Sequence, residues 1–261
     1  MTRNRLWLLL AVCALSVLGG CGGGGEETQT DEASSEAPAA DAAAVDTANA
    51  GKVTGAITYD GPDTDTPIAM NADPQCAGLH TTPVDTNAIA VSADKKLANV
   101  FVYVKTGLEG KTFPTPTEKK VLDQQGCLYH PRIQGLQVGQ PLVIKNSDPT
   151  LHNIHALPTA NAEFNQGQPF QNMEFEKTFD KPEVMVHFKC DVHPWMTSYV
   201  GVLPHPYYAV TGDDGSFTID KLPPGNYTIE AWHESLGTQT QQVTVDANGT
   251  ATVNIAFPPK A

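Results

Sequence analysis

The chain has 261 residues, with 29 Asp or Glu against 16 Lys or Arg, a formal charge of −13 with histidine neutral. So acidic a surface argues against nucleic acid as a partner and against electrostatic attachment to anionic lipid. No stretch keeps a 3.6-residue apolar period between helix caps, whereas several alternate with period two, so the pattern predicts an all-β protein.

The first twenty residues read as a processing signal. Arg3 and Arg5 form a charged start, and the apolar run from Leu6 to Leu18 is too short to span a bilayer. The run ends in Leu18-Gly19-Gly20-Cys21, which resembles the bacterial lipoprotein cleavage box. That resemblance implies that residues 1–20 are removed and that Cys21 carries lipid. The protein is then extracytoplasmic, in the periplasm or at the cell surface, and anchored to the membrane by lipid. Removal takes away two arginines and no acid, so the charge moves from −13 to −15. The resulting acidity is compatible with a basic protein partner. Residues 21–50 contain no aromatic residue and only Val45 as a branched aliphatic. They cannot bury enough apolar surface to offset ordering and predict a disordered tether.

Val53 to Tyr59 alternates and runs into Asp60-Gly61-Pro62, a strand with a turn after it. Residues 61–92 are rich in Pro, Asp and Thr and read as a long connection. Ala98 to Lys105, Leu142 to Lys145, Val184 to Cys190 and Tyr199 to Leu203 read as further strands. In the Val184 to Cys190 segment, Val184, Val186, Phe188 and Cys190 share the inward parity, and Met185, His187 and Lys189 the outward one. The strand thus brings a thiol to the edge of a core. Within six residues the chain adds His193 and Met196. Thiolate, imidazole and thioether are soft donors that suit copper. A fourth donor must come from elsewhere, and the candidates are His152 and His155, which an extended backbone points to opposite faces.

Cys190-Asp191-Val192-His193-Pro194-Trp195-Met196 resembles the short ligand loop of the amicyanin type of blue copper protein. Val138 to Asn153 is similar to the strand and loop that carry the first copper histidine in plastocyanin-like cupredoxins. The resemblance implies a Greek-key β-sandwich over residues 111–204 with one type 1 copper. His152 is implied as the first imidazole because Asn153 follows it, the asparagine that bridges the two ligand loops in the family. Cys190, His193 and Met196 supply the thiolate, the second imidazole and the weak axial thioether. The implied function is one-electron transfer between redox partners, a basic cytochrome among the partners to be considered, with His193 as the electron port. Pro194 and Trp195 either form a docking patch around that imidazole or fold over the site. A carrier rather than an enzyme is implied: binuclear centres need two thiolates, and oxidases flank the cysteine with histidines where this chain has Lys189 and Asp191. Copper storage or delivery, and a metal-free binding module, are the alternatives.

With Cys13 removed and Cys21 lipidated, Cys76, Cys127 and Cys190 remain. In an oxidising compartment two of them pair. Cys76 and Cys127 lie in loop-like sequence and are expected to form the disulfide, leaving Cys190 free. His80 and His130 lie close to the two paired cysteines, which would suit zinc in a reducing compartment. His155, His187, His205 and His233 are expected in structural or surface roles.

The tail carries Asp214-Gly215-Ser216-Phe217 and Leu222-Pro223-Pro224-Gly225-Asn226-Tyr227. Asp214-Gly215 predicts a hairpin turn, and Leu222 to Gly225 a second turn with glycine at positive φ. These motifs resemble the carboxypeptidase regulatory-like domain, a small transthyretin-type β-sandwich. The family's opening strands match Gly51 to Ile57 and Ala98 to Val102, which precede the copper stretch. The expectation is a sandwich formed by residues 51–110 and 205–261, interrupted by the cupredoxin; two consecutive domains are the alternative.

Overall fold

A computed structural model describes residues 43–44 and 47–260. The signal segment 1–20, Cys21 and most of the tether expected over 21–50 lie outside the described residues. Inside the tether range, Ala43–Ala44 pair in parallel with Lys111–Thr112. The described chain is all-β, its helical parts being a 3-10 turn at Met70–Ala72 and a five-residue helix at Pro74–Gly78. No helix among the described residues is long and apolar enough to cross a membrane.

The strands form two sandwiches. In the first, a five-stranded sheet runs in the order Phe164–Gln168, His152–Leu157, Glu183–Lys189, Thr197–Leu203 and Ile133–Gln137. A four-stranded sheet runs Glu174–Lys177, Leu142–Asn146, Lys120–Gln125 and Leu128–His130. Leu122, Leu142 and Ile144 from one sheet meet Ile154, Val186, Phe188 and Val200 from the other in a shared buried core. Each such side chain contributes about 1.5–3 kcal/mol by leaving water. In the second sandwich, one sheet runs Tyr208–Val210, Phe101–Thr106, Gly225–His233 and Gly237–Val245. The other joins Ser216–Leu222, Gly51–Tyr59 and Thr250–Thr252, with Ile255–Phe257 also paired to Gly51–Tyr59. Strands from before and after the first sandwich therefore hydrogen-bond to each other.

Gly135 and Gly201 are paired across neighbouring strands where the two sandwiches meet. A Cβ on Gly201 would lie 2.5 Å from the Phe101 ring, and one on Gly135 would lie 2.4 Å from the Tyr208 ring. The missing side chains let these two stacked aromatics (5.3 Å between centroids) lie directly on the sheet. Arg132 and Glu234 close the same junction as a bidentate ion pair, Nε–Oε1 2.5 Å and Nη2–Oε2 2.8 Å.

Several local expectations are corrected. Val184 is 41% exposed rather than inward, because a register shift between Glu183 and Val186 breaks the alternation there. Asp214-Gly215 is a turn, with Gly215 at φ +67°, but not a hairpin: Tyr208–Val210 and Ser216–Leu222 belong to different sheets. The turn moves the chain between layers. Leu222 to Gly225 does the same, and there Lys221, not Gly225, takes positive φ (57°). Tyr227 secures this corner by donating its hydroxyl to the Pro223 carbonyl at 2.7 Å.

His233 is fully buried beside this core, and burial, reinforced by the Arg132 charge, holds its pKa at about 4. A folded pKa below the unfolded value means that the unfolded chain binds the extra proton first. Stability is thus full above about pH 6.5 and is lost as pH falls toward 4, by up to about 3 kcal/mol. Urea unfolding is expected to show about 2 kcal/mol of this loss between pH 7 and pH 5, and His233→Gln to reduce the difference by about that amount.

Candidate metal centre

Cys190 follows the strand Glu183–Lys189 and opens a tight loop. The loop is closed by its own backbone: the Cys190 N–H donates to the Met196 carbonyl at 3.3 Å, and the Met196 N–H to the His193 carbonyl at 2.9 Å. The His193 N–H also points at the Cys190 sulfur, 3.3 Å away. His152 begins the adjacent strand His152–Leu157, whose alternation turns His152, Ile154 and Ala156 into the core. His155 lies on the outer face, held between Asp191 (2.9 Å) and Glu163 (2.8 Å).

Three donors converge. His152 Nδ1 lies 2.9 Å from His193 Nδ1, and Cys190 Sγ lies 3.8 Å from His193 Nδ1. The ligand atoms of His152, Cys190 and His193 all lie within 4.8 Å of one another, and all three residues are buried. Two nitrogens about 2.05 Å from one ion at a tetrahedral angle stand about 3.3 Å apart, and a nitrogen and a thiolate about 3.5 Å apart. The observed spacings come within about half an ångström, so these residues fit a metal ion. Two other clusters, Cys76–Cys127–His193 and Cys127–Asp148–His152, use cysteines joined to each other by a disulfide. Among the described residues Cys190 is the free thiol.

The outer nitrogens of both imidazoles are also fixed. His152 Nε2 lies 2.9 Å from Asp148 Oδ2, and His193 Nε2 lies 3.1 Å from Asp73 Oδ2. Burial pushes the Asp148 carboxyl up, but hydrogen bonds from His152 and from the Cys127 and Gly126 N–H groups outweigh it and hold the group below its usual range. The bond from His193 lowers Asp73 in the same way. Ionised carboxylates only accept, so both Nε2 atoms carry hydrogen and donate. In neutral rings both Nδ1 atoms are then bare, and two lone pairs face each other at 2.9 Å. Such an arrangement needs a positive species between them, a shared proton or a metal ion. Burial pushes the Cys190 thiol up, but the adjacent His152 and hydrogen bonds from backbone N–H groups bring it below the ordinary thiol range, toward the thiolate that metals bind.

The remaining residues expected at the site are placed as follows. Met196 is fully buried in the core that contains Cys190. Asn153 Oδ1 accepts from the Asp191 N–H at 2.7 Å and lies 3.3 Å from Cys190 Sγ, joining the two loops. Pro194 is exposed. Trp195 is partly buried, its Nε1–H donating to the Cys127 carbonyl at 3.0 Å and its ring 5.2 Å from His193. Cys76 and Cys127 are joined by a disulfide. His80 and His130 bond to the carbonyls of Gly126 and Gln125. His187 stacks on Tyr199, and His205 is buried against the Val104 carbonyl.

One expectation fails. His193, the expected electron port, is only 2% exposed. Asp73 caps the helix Pro74–Gly78 through its Oδ1 (2.8 Å from the Gln75 N–H) and turns its Oδ2 to His193. Cys76 Sγ lies 3.4 Å from His193 Nε2. The connection 61–92 is thus a cover over the imidazole, held to the first sandwich by Met70, Cys76 and the disulfide. The residues missed by sequence reasoning are Asp73 and Asp148. Each stands in an Asp-Pro pair, and Asp73-Pro74 is a helix-start signal with proline at the first helical position.

Residues 200–258 match the carboxypeptidase regulatory-like domain. No curated protein matches the chain. Among solved structures, a Cu(I) mutant of amicyanin is similar at 21% identity over 32% of this chain and 81% of that one, TM-score 0.29. A purple cupredoxin from Nitrosopumilus maritimus aligns at 22% identity over 32% and 97%, TM-score 0.28. A copper-containing nitrite reductase from Thermus scotoductus aligns at 19% identity over 40% and 25%, TM-score 0.31.

Proposed function

We propose that this is a lipid-anchored, extracytoplasmic protein that holds one copper ion and passes single electrons between redox partners, one of them a basic protein such as a cytochrome. The supporting observation is the convergence of two imidazole Nδ1 atoms and one free thiol in a buried pocket, with each outer Nε2 already beside a carboxylate oxygen. A copper ion held by a thiolate, two imidazoles and a weak thioether gains and loses one electron. His152, Cys190 and His193 would hold it, with Met196 as the weak donor. Pairing between strands from residues 51–106 and 208–257 supports an organisation in which the copper sandwich interrupts a carboxypeptidase regulatory-like one.

The chain's own contribution is rigidity and closure. The loop's internal hydrogen bonds, the Asn153 bridge and the two carboxylates fix donor positions before any ion enters. Exchange of cargo requires donors that open, and here Asp73 and the disulfide lie over His193. Closure favours transfer over delivery, and the exit proposed in place of His193 is its neighbour Trp195, whose partly buried ring lies 5.2 Å from that imidazole.

The experiment compares electron self-exchange with release of Cu(I) to a modest chelator. Fast exchange and slow release are expected, with Pro194→Gly slowing exchange more than it weakens binding. Release within seconds together with sluggish exchange would favour delivery instead.

A further inference from the structure

The carboxylates behind the two imidazoles occupy equivalent chemical positions but come from different parts of the chain. Asp148 lies four residues before His152. Asp73 lies 120 residues before His193, in the connection that belongs to neither sheet of the copper sandwich. Each presents a carboxylate oxygen to an imidazole Nε2, at 2.9 Å for His152 and 3.1 Å for His193. We infer that Asp73 and Asp148 are positioning residues that fix both imidazoles as Nε2–H tautomers and set the reduction potential of the centre by placing negative charge behind each ligand. The inference rests on the copper reading proposed above.

A carboxylate accepting the outer N–H of a metal-binding imidazole fixes its tautomer and ring orientation and raises its basicity. A more basic ligand set favours the more highly charged ion, Cu(II), over Cu(I), and so lowers the potential. Outer partners of this kind change metal affinity by about 10–100-fold. If that factor falls on Cu(II) alone, it corresponds to about 60–120 mV for a one-electron couple, at 59 mV per tenfold. Solvent screens exposed charge. Asp148 has 4% of its side chain exposed and Asp73 has 29%, so Asp148 should have the larger effect.

Asparagine separates this role from a structural one. In Asp73→Asn the remaining oxygen can still accept from the Gln75 and Cys76 N–H groups and cap the helix. The new NH2 then faces the His193 N–H and cannot accept from it. Asp73→Ser keeps a cap without a carboxylate and serves as the second variant.

The test uses the full chain with two readouts: histidine side-chain 15N NMR of the metal-free protein, and the Cu(II)/Cu(I) potential after loading with copper alone. The wild type is expected to show His193 and His152 as Nε2–H forms. Asp73→Asn and Asp73→Ser should lose that preference at His193 alone and raise the potential by about 60 mV. Asp148→Asn should act at His152 and raise it by up to about 120 mV. Potentials unchanged in all three variants, or imidazoles without hydrogen on Nε2 in the wild type, would overturn the inference while leaving copper binding intact. A wild-type protein that takes up no Cu(II) would overturn the copper reading and this inference together.

Discussion

Replacing both Cys76 and Cys127 by serine is expected to lower the unfolding free energy by about 4 kcal/mol. The bridge closes a loop of 51 residues, and the chain-entropy cost of leaving so long a loop open in the unfolded state is of that size. Both sulfurs are buried in the first sandwich's core, so the serines also put hydroxyls where no water reaches. For a domain of this length the midpoint should fall by about 8–16 °C. Calorimetry of the double variant checks it. A fall under about 3 °C would mean that the cover is held mainly by its other contacts, such as buried Met70 and the Asp65 bonds to the Ala88 and Ile89 N–H groups. The disulfide fixes Cys76, in the helix that Asp73 caps, so the same variant is expected to expose His193.

The second large effect is at Cys190. Cys190→Ser is expected to abolish the visible thiolate-to-copper band completely. It should also weaken Cu(II) binding by more than the roughly 10–100-fold that the loss of an outer partner costs. The thiol is the group that the pocket singles out: it is buried and free, contacts Asn153 Oδ1, and receives the His193 N–H. Serine retains the shape and these polar contacts but offers a harder oxygen that stays protonated at neutral pH. Met196→Leu, in contrast, should keep the colour and shift the potential, because an axial donor tunes the ion more than it holds it. If the serine variant kept an intense band, the sulfur would not be a ligand.

Much of the site was legible because its elements are short in sequence. The alternation of Val186, Phe188 and Cys190 places the thiol inward, and only two residues separate it from His193. The opposite faces of His152 and His155 follow from strand geometry alone. What a local pattern could not show is contact at long range. Asp73 meets His193 across 120 residues, through a segment whose Pro-, Asp- and Thr-rich composition reads only as a connection. Hence an imidazole expected at the surface is buried. The same limit applies to Asp214-Gly215: its turn chemistry is visible, but whether the flanking strands pair depends on partners far along the chain. Val184 fails for the opposite reason, a one-residue irregularity too local for a period-two rule.

The central claim, that His152, Cys190 and His193 hold one copper ion, is tested most directly by an optical titration of the purified protein with Cu(II). An intense visible charge-transfer band that grows linearly and stops at one equivalent is expected. Weak ligand-field bands alone at one equivalent, with Cys190 still reactive toward a thiol reagent after unfolding in the presence of the metal, would contradict it.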